Sequence, residues 1–325
     1  MTFSRLITTL ACSVAVASAP CMASAQDAYP NKPIKIVVPF SPGGGGDAVV
    51  RIISDKLGQR LGQPVIIENR PGASGYIGAQ AVATAAPDGY TLLMGFDGSI
   101  VVAPNLIKAP FDTEADFAPI TKINDATLVL AAHPSLGVKS LKELIALSKN
   151  TPAGLPFGSS GPATTTHLAG ELLAKRAGLN LVHVPYKGGG QAVTDVVGGQ
   201  IPLIFTVIPT ISAFIKDGRL QALGVASASR SAVLPDVPTI SESGVPGFEV
   251  NSWYGLLAPA KTPKAIIDRL QKEVAAVLAM PDMRERYIKA EFEPVGNKPD
   301  EFAQQIKADL SKWKKVVKDS NVRIE

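Results

Sequence analysis

Ser159 and Ser160 stand shortly before His167 in the run GSSGPATTTHLAG (158–170). A serine near a histidine raises nucleophilic acyl chemistry, which needs an imidazole to take the hydroxyl proton and an acid to orient that imidazole. No orienting acid is identifiable here, and GSSG is not the G-x-S-x-G elbow of hydrolases. The remaining histidines, His133 and His183, show no metal-ligand spacing, and His183 alternates inside a strand-like run. Structural roles are expected for all three, with no catalytic set and no bound metal; an exported serine hydrolase stays as an alternative.

A second kind of chemistry is written in glycine. IVVPFSPGGGGDAVVRII (36–53) passes from an apolar run through four glycines into a helical pattern. Glycine permits close backbone approach, and a helix N-terminus offers unpaired N–H groups and partial positive charge to an anion. Asp47 is placed to cap that helix. The acid closing Val65-Ile66-Ile67-Glu68 makes a dinucleotide tempting, yet Ala48 or Val49 stands where the third glycine of G-x-G-x-x-G belongs. A plain structural turn is the bland reading, and a carboxylate is the preferred anion.

Two further stretches repeat the idea. In the run around Gly158, Ser159, Ser160, Thr164, Thr165 and Thr166 cluster at a strand-to-helix transition, where an over-supplied N-cap is the alternative. YKGGGQAVTDVVGGQ (186–200) is another glycine loop entering a helix. Its Lys187 is expected to face an anion or simply to be solvated, and Asp195 to tie loops together. Phe96, Asp97 and Ser99 follow a strand and are placed to read the far end of a ligand.

The elements that must position these residues alternate along the chain. Strand-like runs occur at 34–40, 65–68, 90–96, 128–133, 155–159, 181–186, 203–205 and 220–226, separated by helical spacing such as Val49, Ile52, Ile53 and Leu57. This predicts an α/β protein with mainly parallel sheets, which bind ligands at the carboxyl ends of their strands. The pattern changes around Asn124–Leu128 and again around PGFEVNSWYGLLAP (246–259), so domain 1 is expected over 26–124 and 250–325 and domain 2 over 125–249. Helices are expected at 263–280, 281–291 and 298–318. The last carries Phe302, Ile306, Leu310, Trp313 and Val317 on one face and returns to the first domain.

Gross features narrow the function. Arg5, an apolar stretch from Leu6 to Ala19 and Ala23-Ser24-Ala25 read as a secretory signal peptide, residues 1–25, cleaved after Ala25. Cys12 and Cys21 both lie inside it, so the mature chain is expected to lack disulfides and thiolate chemistry. The net charge of +4 is too small and too dispersed for nucleic acid. The apolar run Ile201–Ile215 contains Pro202 and Pro209 and reads as a buried strand followed by a short helix.

YPNKPIKIVVPFSPGGGGD, LGQPVIIENRPGASGYIGA, PDGYTLLMG, HVPYKGGGQAVTDVVGGQI, LPDVPTISESGVPGFEVNSWYGLLAP and EPVGNKPDEF resemble, in order, the tripartite tricarboxylate transporter binding proteins, the Bug family. The resemblance runs from Tyr29 almost to the C-terminus. It implies a two-lobed periplasmic binding protein of type II, a Venus flytrap whose lobes are each a mainly parallel sheet flanked by helices. It also implies a periplasmic receptor that closes around a small carboxylate and delivers it to membrane permease subunits. No cofactor is expected, nor enzymatic activity, nor a nucleic-acid partner, and a monomer is expected. An exported ligand sensor signalling to a membrane receptor is the other reading.

The resemblance points to Phe40, Ser41, Gly43, Gly44, Gly45, Gly46 and Asp47 on one side of the ligand, with Ser159, Ser160, Thr164 and Thr165 opposite. Asp97, Ser99, Lys187, Asp195 and Thr206 complete the expected binding set. Members of the family often read P-G-G-G-T-D, whereas Gly46 here carries no hydroxyl. Many have an acid after the phenylalanine of the second-domain strand, where this chain reads Phe205-Thr206. Without that counter-charge an ammonium ligand is disfavoured, unless Asp97 compensates. Phe96 suggests an aromatic edge to the pocket. The acid expected is a di- or tricarboxylate or an aromatic carboxylate.

Overall fold

The structure is a computed structural model and describes residues 29–320; the expected signal peptide and its cysteines lie outside the described residues. In chain order, β1 (Ile34–Val38) leads to α1 (Gly45–Leu61), β2 (Val65–Asn69), α2 (Tyr76–Ala83) and β3 (Thr91–Phe96). A short α3 (Thr113–Asp116) precedes the long β4 (Phe117–Ala132), followed by α4 (Leu141–Lys149), β5 (Leu155–Ser159) and α5 (Thr165–Ala177). Then come β6 (Leu181–Pro185), α6 (Gly189–Val197), β7 (Leu203–Val207), α7 (Ile208–Lys216) and β8 (Gln221–Val225). The chain ends with β9 (Asn251–Pro259), α8 (Lys264–Leu278), α9 (Pro281–Lys289), β10 (Glu293–Pro294) and α10 (Pro299–Ser320).

Strand order is β2-β1-β3-β9-β4-β7-β5-β6, with β8 and β10 also paired to β4. The β1–β2, β1–β3, β5–β6 and β5–β7 pairs are parallel, as the strand-helix alternation implies. Every pair involving β4 or β9 is antiparallel, because these two strands carry the chain between lobes rather than through a βα unit. The strand expected from Leu128 begins eleven residues earlier, at Phe117, and the expected boundary at Asn124 falls inside it. Phe117–Thr127 pairs with β9, and Leu128–Ala132 pairs with β7 and β8. One strand therefore belongs to both sheets.

Burial explains why these runs form strands. Ile36, Val38, Leu92, Leu93 and Met94 are fully or almost fully buried in the first lobe, and Phe157, Leu203, Ile204 and Phe205 in the second. Strands covered by helices on both faces read as near-continuous apolar runs. On α10, Phe302, Ile306 and Trp313 are buried, with Leu310 and Val317 partly so, and the helix packs on β4 and the segment after β3. Among the described residues no helix is long and apolar enough to cross a membrane.

Candidate ligand-binding site

The strand ends of the two lobes face each other, and four helices begin between them. Helix α1 opens at Gly45 behind Gly44, α6 at Gly189 behind Gly188, and α7 at Ile208 behind Val207; none of the three has a side-chain cap. Only α5 caps itself, through the Thr164 hydroxyl accepting from the His167 N–H. Uncapped first turns leave N–H groups free for something outside the helix.

These helix starts converge on one cavity of about 20 Å³, room for about one water. It is lined by Phe40, Gly44, Gly45, Gly46, Phe96, Ser160, Thr166, Gly189, Thr206, Val207 and Tyr254. No ionisable acid or base other than the Tyr254 phenol is on this wall. An outer chamber of about 240 Å³ shares Phe40 and Ser160 with it and opens past Ser74, Tyr186 and Lys187. Three larger hollows, at the α5–α10 groove, beside the loop after β8 and at the C-terminal end of α1, gather none of these uncapped helix ends.

The glycines are required by this closeness. A Cβ on Gly45 would fall 2.3 Å from the Tyr254 hydroxyl and 2.8 Å from Val207. One on Gly46 would lie 2.2 Å from the Met94 terminal methyl, so the missing hydroxyl at this position is matched by Met94 filling the space. One on Gly190 would strike the backbone of the opposite lobe, 2.9 Å from the Pro42 carbonyl oxygen and 3.2 Å from the Gly44 nitrogen.

Asp47 is a correction. It sits in the first turn of α1 rather than at its cap, because the permissive glycines let the helix start at Gly45. Its carboxylate accepts from the Gly43 N–H at 3.1 Å, from Arg51 at 2.9 Å and from Asn69 at 3.0 Å. Burial opposes its charge, but these donors outweigh burial and hold its pKa below the usual carboxylate range. Asp47 fixes the loop from behind, and Gly43, at φ 83°, turns it.

Of the other expected site residues, Ser41 and Asp97 join the lobes instead of lining the cavity. Ser41 donates to the Lys187 carbonyl through its N–H at 3.1 Å and its hydroxyl at 3.3 Å. Asp97 accepts from Thr165 at 2.7 Å and from Ser252 at 2.5 Å, and is 1% exposed. Burial lifts its pKa to about 7 despite those two donors, with Asp309 adding to the rise. Ser99 donates to the Ser74 carbonyl at 2.6 Å, bracing a loop in which Ala73 and Ser74 both have positive φ. Asp195 lines neither chamber; it accepts at 2.7 Å from Tyr186, a wall residue of the outer one, and ties that loop to α6. Lys187 is exposed at the outer chamber, while Thr206 faces the inner one and pairs with Thr210 at 3.0 Å.

The serine-histidine proximity resolves differently from the sequence order. Ser159 meets His183, not His167, at 2.6 Å, and is fully buried and bonded also to Gly161. His167 stacks on His183 at 3.5 Å and pairs with Glu171 at 3.3 Å, so no acid orients His183. Burial, and then His167, push the His183 pKa down to about 3, leaving a neutral ring. Ser159 is absent from the cavity wall. This is a packed polar core, with Thr164 closing it through a bond to the Gly161 carbonyl at 2.7 Å.

Sequence reasoning missed Tyr254, Val207 and Gly189 as wall residues. Gly189 lay within a glycine loop already singled out, whereas Tyr254 gave only the aromatic character of its segment as a signal.

Two lobes joined by the shared strand β4, with a cleft of helix N-termini between them, define a binding protein of type II. Residues 49–322 match the model of the tripartite tricarboxylate transporter family receptors, and the chain belongs to that family. Its fold is close to that of the periplasmic binding protein BugD, at 35% identity and a TM-score of 0.86, covering 91% of this chain and 99% of that one. A Rhodopseudomonas palustris protein solved with adipate, Rpa4515, is 33% identical, with a TM-score of 0.87 over 91% of this chain and 99% of the other. MatC from the same species, solved with bound malate, is 32% identical, with a TM-score of 0.85 over 89% of this chain and all of the other.

Proposed function

We propose that this protein is a periplasmic receptor that captures a small dicarboxylate by lobe closure and hands it to membrane permease subunits. The observation that carries this reading is the convergence of the uncapped N-termini of α1, α6 and α7 on a cavity with no charged side chain. Such a wall attracts an anion through backbone dipoles and N–H donors, each helix end adding about 0.3–1 kcal/mol. It offers an ammonium group no counter-charge, since Asp97 is already occupied between the lobes and Thr206 stands where an acid would help. Amino acids are therefore disfavoured.

The second carboxylate is placed in the outer chamber, where Lys187 supplies a cation and Ser74 and Tyr186 add polar walls. Phe40, Phe96 and Val207 cover the carbon chain between the two ends. The adipate and malate found in two relatives are acids of this class. Because the inner cavity with the lobes in contact holds only about a water, the lobes must part for entry. Thermal shift and calorimetry with malate, adipate, terephthalate, citrate and aspartate test the reading. Binding of at least one dicarboxylate and none of aspartate is expected; binding of aspartate alone, or of nothing in the panel, overturns it.

A further inference from the structure

Tyr254 is 5% exposed and lines the inner cavity, and its hydroxyl makes no hydrogen bond to another described residue. A buried phenol normally finds a partner, as Tyr287 does by donating to the Val49 carbonyl at 2.9 Å. The Tyr254 oxygen instead lies against the first residue of α1, so close that a Cβ on Gly45 would collide with it. The ring cannot swing away. It stacks on Phe96 at 5.5 Å and meets Phe292 edge-on at 6.2 Å. Burial, and then the Asp97 carboxylate, raise its pKa well above the ordinary phenol range, so the proton stays available for donation.

Resting on the carboxylate reading above, we infer that the Tyr254 hydroxyl is a ligand-recognition donor. It completes, with the Gly45 and Gly46 amides, the seat for the inner carboxylate. Its place on β9 adds a second consequence. Tyr254 pairs in register with Phe96 on one side and with Asn124 of β4 on the other. Ligand contact is thereby delivered to the strands that pass between the lobes, not only to loops at their rims.

The test is Tyr254→Phe, which removes one oxygen and keeps the ring packing. Calorimetry with malate and adipate should show the better ligand weakened by about ten- to a hundredfold, the range for a hydrogen bond to a charged group. The ligand-free melting temperature should not fall, because no other described residue relies on this hydroxyl for a hydrogen bond. Unchanged affinity in Tyr254→Phe beside a binding wild type overturns this inference and leaves the carboxylate reading standing. A lower ligand-free melting temperature also overturns it, since the hydroxyl would then be structural. A wild type that binds neither acid overturns the inference, and one that also binds no other acid of the panel overturns the reading beneath it.

Discussion

The Asp97 carboxylate at the end of β3 accepts a 2.7 Å hydrogen bond from Thr165, the first residue of α5 in the opposite lobe. Its other oxygen accepts from Ser252 on β9 at 2.5 Å. A single buried side chain thus fastens both lobes and a returning strand, and the backbone at Gly98 lies close enough that a Cβ there would sit 2.8 Å from the Thr165 nitrogen.

Asp97→Asn replaces one acceptor oxygen with an N–H donor, so either Thr165 or Ser252 must turn its hydroxyl to accept and the bond it donates is lost. The closed arrangement should weaken by about 1–3 kcal/mol. Small-angle scattering of the ligand-free protein should show a larger radius of gyration than wild type. An unchanged radius would mean that Asp97 contributes nothing to closure.

Stability should depend on pH through two opposed groups. Asp97 has a folded pKa raised to about 7, so the folded state holds a proton that the unfolded chain releases between about pH 4 and 7. Its contribution is largest at low pH and is lost as pH rises through that window. His183, lowered to about 3, refuses a proton that the unfolded chain takes up below about 6.5; its contribution is lost as pH falls through that window. Wild-type stability should therefore be nearly flat from pH 4.5 to 6.5. Asp97→Asn should fall with acidification and His183→Gln should rise, each approaching about 1.4 kcal/mol per pH unit at its steepest. Chemical denaturation across pH would reveal it, and parallel wild-type and variant curves would refute it.

Gly190→Ala should separate folding from binding. Within α6 the alanine is favoured by about 0.5–1 kcal/mol, so the ligand-free protein should stay folded while its lobes part and its radius of gyration rises. Across the cleft the new methyl meets Pro42 and Gly44 backbone atoms, which cannot rotate aside. Ligand affinity should drop at least tenfold by calorimetry; retained affinity would show that closure does not bring these backbones together.

Lys187→Met removes the cation from the outer chamber while keeping the length of the stem. An exposed ion pair is worth about 0.2–1 kcal/mol, so the preference for a dicarboxylate over its monomethyl ester should shrink by no more than about fivefold. Direct comparison of the two affinities in both proteins measures it. An undiminished preference would place the second carboxylate elsewhere.

Much of the fold was legible because parallel strands buried on both faces must be apolar almost end to end, and the runs at 34–38 and 203–207 are, broken only by Lys35 and Thr206. The glycine loops were legible for a similar reason, since no other residue allows backbones to approach so closely. The first half of β4 was not. It includes Pro119, Lys122 and Asp125 and two register shifts against β9, which erase the alternation of a regular strand. Asp97 and Lys187 were picked out as charges, but whether a charge meets a ligand or the other lobe is decided by contacts distant in sequence. Tyr254 was hidden for the same reason: only its pairing with Phe96 carries the phenol to α1.

The uncapped starts of α1, α6 and α7 bear on how such a receptor diversifies. On the carboxylate reading, the attraction for acid is written in main-chain N–H groups spread over three helix ends, which substitutions elsewhere on the wall leave in place. Side chains around it are then free to vary in size and shape, so a lineage can exchange one acid for another while keeping its grip on the carboxylate.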